Sequence, residues 1–254
     1  MASAAAGSAP DSSGLLLSVV VPTLGDEGKL RALLASLAAQ SLPRDRWELI
    51  LAFDGTDPPA ALAAELATAG AIVERLPERR GPGASRNAGA RRASGEYLAF
   101  TEDDCLPEPA WLASAASRLQ GERAIDALEG ATLLPDGRPA RRREGTNPTW
   151  LPTNLFVRRT LYERVGGYCE RFFDAARGIY FREDSDFGFT LREAGARARF
   201  DPSLRVLHPH EHPGWLDPIR WARRYEMDPL LASRHPRAFR EEIEVFRLGP
   251  IRLR

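Results

Sequence analysis

Apolar positions in the first hundred residues alternate between two spacings. Leu15 to Val21 is a nearly continuous apolar run, β-branched at its end and closed by Pro22, and it predicts a buried strand. Leu30, Leu33, Leu34 and Leu37 then fall at i, i+3, i+4 and i+7, which predicts an amphipathic helix from about Asp26 to Gln40. Trp47 to Phe53 reads as a second strand, running into Asp54-Gly55-Thr56. A helix over 60–69 stops at Gly70, a short strand covers 71–74, and a small, arginine-rich helix over 82–94 leads to a strand at 96–100. Strand and helix alternate with short connections, as right-handed βαβ units on a parallel sheet require.

Beyond residue 104 the rhythm changes. The pattern predicts a helix from Pro107 to Leu119, a strand over 124–129, a polar loop over 135–148 that includes Arg141, Arg142 and Arg143, and a strand over 154–157. A helix over 159–165 ends at Gly166-Gly167, and another over 184–194 ends at Gly195. Short strands at 197–200 and 204–207 follow, then a loop over 208–213 and a helix over 215–233. With no internal repeat and no long linker, one domain with a regular front half and an irregular back half is the simplest account.

Composition narrows the class. The 254 residues are 43% hydrophobic and 28% charged, which suits a globular chain, and zero formal net charge gives no general pull toward nucleic acid or an anionic membrane. Lys29 is the only lysine. Cys105 and Cys169 make neither a disulfide framework nor a zinc spacing, so a reducing, cytoplasmic setting is expected. Residues 1–14 are rich in Ala, Ser, Gly and Pro, lack the charge and apolar core of a signal peptide, and read as a disordered tail. The arginine-rich end has no obvious stop, as in a piece of a longer protein.

The most informative stretch is Gly95 to Cys105. Its strand stops at three consecutive acids, Glu102, Asp103 and Asp104. Carboxylates at the carboxyl edge of an open α/β sheet stand where ligands bind, and hard cations such as Mg²⁺ and Mn²⁺ take carboxylates together with substrate phosphates. The same acids could instead cap a helix starting near Pro107. His208, His210 and His212 cluster after a strand, but no cysteine lies near them in sequence to complete a zinc site. Gly81-Pro-Gly83 fails as a dinucleotide fingerprint, because Arg86 stands where its last glycine belongs.

Five segments in order resemble glycosyltransferase family 2, the sugar-nucleotide-dependent transferases with the GT-A fold: SVVVPTLG at 18–25, LAFDGTD at 51–57, GPGASRNAGARRASGEYLAFTEDDCLPEP at 81–109, TNLFVRRTLYERVGGY at 153–168 and YFREDSDFGFTLREAG at 180–195. The resemblance implies an α/β fold: a single GT-A domain, Rossmann-like with a mostly parallel sheet, over 15–213. Within it, 15–106 would be the nucleotide-binding half and 107–213 the acceptor-binding half, with 214–254 a C-terminal helical extension.

The resemblance also implies roles. Pro22, Asp54, Arg86 and Asp103 would bind the nucleotide, Asp54 accepting the N3–H of uracil, Arg86 lying against base or phosphate, and Asp103 approaching the ribose. Phe53 and Thr101 stand where the family more often has aspartate, so only the remaining acids carry over. Asp104, with His208, would hold a divalent cation, Mn²⁺ or Mg²⁺. Asp184 would be the general base toward an acceptor hydroxyl, with Glu183 as helper and Asp186 as rival.

Each role has a plainer alternative: a turn aspartate at 54, a surface arginine at 86, a helix N-terminus at 183–184, a polar loop at 208. The implied activity is metal-dependent, inverting transfer from a UDP-sugar to a glycan, lipid-linked or small-molecule acceptor. Trp215, Arg220, Trp221, Arg223, Arg224 and Tyr225 are candidates for a peripheral membrane contact at the inner face. A scaffold module or a sugar-1-phosphate nucleotidyltransferase are the rivals. The second lacks its Gly-rich basic loop here, since PTLGDEGK follows the first strand.

Overall fold

A computed structural model describes residues 14–140, 149–209, 222–243, 246–248 and 251–253. The expected tail, Arg141 to Arg143, His210, His212, Trp215, Arg220 and Trp221 lie outside the described residues.

The front half is as the apolar pattern predicts. β1 (Leu17–Thr23), β2 (Trp47–Asp54), β3 (Ala71–Leu76) and β4 (Tyr97–Phe100) lie in the order β3-β2-β1-β4, all parallel. Alternate β1 side chains serve two cores. Leu17, Val19 and Val21 pack with Leu30, Leu33 and Leu37 of α1 (Glu27–Ala38), while Val20 packs with Ile50, Leu98 and Phe100 on the other face. On that second face α3 (Gly81–Arg92) lies close to the sheet at Gly89, where a Cβ would stand 2.6 Å from Val20 Cγ1.

The sheet continues through β7 (Leu155–Arg158), β6 (Ala127–Leu133), β10 (Ala198–Leu207) and β5 (Leu106–Pro107), giving eight strands of mixed, mostly parallel sense. Three details differ from the pattern's prediction. Leu106–Pro107 pairs antiparallel with β10, so the helix expected from Pro107, α4 (Trp111–Gly121), starts at Trp111. The strands expected at 197–200 and 204–207 are one strand with a register shift between Asp201 and Arg205. There Asp201 accepts from Ser203 N and Oγ at 2.9 and 2.7 Å, folding the Pro202 step into a bulge. A hairpin of Phe173–Asp174 with Ile179–Tyr180 lies between α5 (Arg159–Val165) and α6 (Glu183–Glu193).

The described part of the C-terminal extension is not one helix. A 3₁₀ turn (Arg223–Met227) leads to helix Asp228–Arg234, a second helix Pro236–Glu242 follows, and the strands Phe246–Leu248 and Ile251–Leu253 pair antiparallel. Pro236 cannot donate the hydrogen bond that would continue the first helix. Leu231, Ala238 and Phe239 bury against Phe172 and Phe189 of the domain. Among the described residues no helix is long and apolar enough to cross a membrane.

Candidate active site

The carboxyl ends of β1, β2 and β4 converge on a cleft of about 540 Å³ whose lining includes Pro22, Thr23, Asp54, Glu102, Asp103 and Asp104. Such a crevice forms where strand connections turn to opposite sides of the sheet. Thr23 Oγ1 donates to Asp103 Oδ2 at 2.6 Å, tying the end of β1 to the loop after β4. Burial pushes the Asp103 carboxyl above its ordinary range, against the opposing effect of the Thr23 hydrogen bond.

Asp54 ends β2 and faces the same cleft. Its Oδ1 accepts from Arg80 N at 2.7 Å and its Oδ2 from Gly81 N at 2.9 Å, so it caps α3 from a neighbouring strand. These partners lie far along the chain, so Asp54 caps a distant helix in place of organising its own turn, and it remains at the cleft wall. Gly81 takes φ +83°, and a Cβ there would meet the Phe173 ring at 2.6 Å, which ties this helix start to the 173–180 hairpin.

The metal-site expectation gains a member. His208, just past β10, is held by its N–H to Leu133 O at 2.8 Å, and its Nε2 lies 3.4 Å from Asp104 Oδ1 and 3.7 Å from Glu102 Oε2. One ligand atom each from Glu102, Asp104, Cys105 and His208 falls within a 4.8 Å group. Without a metal the carboxylates of Asp104 and Glu102 push the imidazole up to about 10, so His208 would give up this proton in order to ligate a cation. Two carboxylates and an imidazole fit Mn²⁺ or Mg²⁺. The structure also corrects the ground on which zinc was set aside, because Cys105 is remote from His208 in sequence and adjacent in space. Its thiol is fully buried and pushed well above its ordinary value by burial, which disfavours the thiolate that zinc needs.

Glu183 and Asp184 open α6 and line a second cavity of about 310 Å³, which shares Glu102 and Tyr180 with the first. Burial, reinforced by the charge of Asp184, pushes Glu183 up to about 7. Asp184 Oδ1 accepts from Ser185 N at 2.7 Å and Ser185 Oγ at 3.2 Å. The rival Asp186 is 1% exposed, ion-paired with Arg234 and 3.0 Å from His235 Nε2, so it fastens the C-terminal helices.

Arg86, expected against the base or phosphate, is buried among acids. It is 1% exposed, its Nη2 is 2.7 Å from Glu102 Oε1, its Nη1 is 3.6 Å from Glu183 Oε1, and its guanidinium lies 5.2 Å from the centre of the Tyr168 ring. α3 turns it inward, where it joins the acids of the two cavities. Asn154, Arg158 and Arg159, in the resembling segment 153–168, likewise make internal contacts. Asn154 receives Trp111 Nε1 at 2.8 Å, while Arg158 pairs with Glu96 and Arg159 with Glu163. Sequence reasoning missed Thr23, Lys29 and Tyr180 as members of the site, and it read Glu102 in the acid run without giving it a role of its own. The triple acid run was the only signal for Glu102, and nothing local pointed to Tyr180.

The family model described as glycosyl transferase family 2 matches residues 18–185. The chain belongs to that family. Among family 2 relatives, glycosyltransferase AglE of Haloferax volcanii is 27% identical over 192 residues, covering 69% of this chain and 63% of that protein. Pre-mycofactocin glycosyltransferase of Mycobacterium tuberculosis is 27% identical over 215 residues, 76% of this chain and 43% of that protein. The chain thus spans less than two thirds of the length of either. TarS of S. aureus in complex with UDP-GlcNAc superposes with a TM-score of 0.68 at 21% identity, over 88% of this chain and 67% of that one. Mannosyltransferase PcManGT of Pyrobaculum calidifontis, with GDP-Man and Mn²⁺, gives 0.64 at 19% identity, over 95% and 68%. These likenesses establish the GT-A fold.

Proposed function

We propose that this chain is a metal-dependent, inverting glycosyltransferase that moves a sugar from a UDP-sugar to an acceptor hydroxyl in cytoplasmic synthesis of a polysaccharide, glycolipid or cell-envelope glycan. The observation that carries the reading is the placement of two acid groups on either side of Glu102 and Tyr180. Asp103, Asp104 and Asp54 face one cavity, and Glu183 and Asp184 face the next. The named complexes of neighbours with UDP-GlcNAc and with GDP-Man and Mn²⁺ support a nucleotide-sugar donor and a divalent cation.

Pro22, Asp54 and Asp103 would hold the nucleotide, Asp54 toward the base and Asp103 toward the ribose. Glu102, Asp104 and His208 would hold Mn²⁺ or Mg²⁺, whose charge would offset that of the departing diphosphate. Asp184 would take the proton of the acceptor hydroxyl as it attacks the anomeric carbon from the face opposite the leaving group. Glu183, pushed up to about 7, is the proton-holding neighbour. Arg86 positions both acid groups through Glu102 and Glu183.

Asp104→Asn and Asp184→Asn are each expected to lower transfer by about a hundredfold or more, with folding intact by circular dichroism. Rates near wild type in either would remove that residue from the mechanism. The C-terminal segment is the proposed membrane contact. Liposome co-sedimentation with and without residues 214–254 tests it, and equal binding would end the idea.

A further inference from the structure

Lys29 is the only lysine among 35 basic residues, all the others being arginine. It stands in the first turn of α1 and lines the larger cleft, where Arg79 is the other cationic member among the lining residues. Its Nζ is 3.7 Å from Asp104 Oδ2, and its side chain is 38% exposed. The other oxygen of that carboxylate, Oδ1, is 3.4 Å from His208 Nε2. One aspartate therefore separates the amine from the cluster that suits a divalent cation.

We propose that Lys29 is a phosphate-binding residue for the donor, exchanging its contact with Asp104 for the diphosphate of the nucleotide sugar when a divalent cation is bound on the His208 side. This rests on the reading of the cleft as a nucleotide-sugar site. A nucleoside diphosphate brings several negative charges into a cleft already lined by Asp26, Asp54, Glu102, Asp103 and Asp104. A cation held by Glu102, Asp104 and His208 would, together with the Lys29 ammonium, supply positive charge to offset that of the incoming diphosphate. Lysine suits an exchange of partners. Its compact charge sits on a flexible stem and binds phosphate as a point charge, without the planar geometry that arginine's fork requires. A half-exposed ion pair contributes little to folding, so giving up the Asp104 contact costs the fold little.

The test is calorimetric titration of the intact chain and of Lys29→Met and Lys29→Arg with UDP in the presence of Mn²⁺. Uridine, which has no phosphate, is compared by ligand-observed NMR. Lys29→Met is expected to weaken UDP binding about tenfold, the equivalent of one charge-assisted contact at a half-exposed position, and to leave uridine unchanged. Lys29→Arg, which keeps the charge, should recover most of the loss. In the unaltered chain, reductive labelling with pyridoxal phosphate should modify the Lys29 amine, and UDP with Mn²⁺ should protect it, both read by peptide mass mapping. Equal UDP affinity in Lys29→Met, an equal loss for uridine, or undiminished labelling under UDP and Mn²⁺ would overturn the proposal. Absence of UDP binding in the unaltered chain would instead count against the reading of the site itself.

Discussion

Glu183 and Asp184 are adjacent in sequence, yet Glu183 is the more deeply buried. Glu183 is 8% exposed and its carboxyl rises from an ordinary 4.5 to about 7. Between those values the folded chain holds a proton that the unfolded chain has released, so stability contributed by this group falls as pH rises from about 4.5 through 7. Glu183→Gln, uncharged throughout, should flatten that part of the slope. Urea midpoints at pH 5 and pH 8 would show it, with the variant losing less than wild type on going alkaline. An unchanged difference would mean that Glu183 does not hold this proton. At this scale the sequence was a partial guide. The acids at 102–104 and 183–184 were legible as clusters, because a strand or a helix start sits beside each. The partners of Arg86 were not, since helical spacing does not reveal which face meets acids brought in from 16 residues and from 97 residues away along the chain.

The elements divide the same way. β1 to β4 and their helices follow from period-2 and period-3.6 patterns that the core then uses on both faces. β5 and the 173–180 hairpin escape such reading, because two-residue strands carry no periodicity. The position of Tyr180 at the junction of the cavities depends on that hairpin. α6 carries two jobs on one turn, since Asp184 faces a cavity while Asp186 is buried against Arg234 and His235. Removing one partner of a buried ion pair leaves charge uncompensated. Here the charge left behind is on Arg234, 36% exposed and within reach of water, so Asp186→Asn is expected to cost about 1–2 kcal/mol in urea unfolding and to speed proteolysis of the helices at 228–242. A loss under about 0.5 kcal/mol, the range of ordinary surface changes, would show that the anchoring lies elsewhere.

For the molecule as a whole, a net charge of zero conceals a cleft whose lining is rich in acids. Such a lining would repel a nucleoside diphosphate unless positive charge comes with it, so the account requires nucleotide and divalent cation to bind together. Under the proposed function, selectivity for the base would rest on Asp54, whose two oxygens organise the start of α3. The most direct measurement is calorimetric titration of the chain with UDP, GDP, dTDP and CDP, each with Mn²⁺, with Mg²⁺ and with EDTA. The account predicts binding of UDP in preference to the others, abolished by EDTA. Preference for GDP or dTDP would contradict the role of Asp54, EDTA-insensitive binding would contradict the cation site at Glu102, Asp104 and His208, and no binding of any nucleotide would contradict the reading of the cleft.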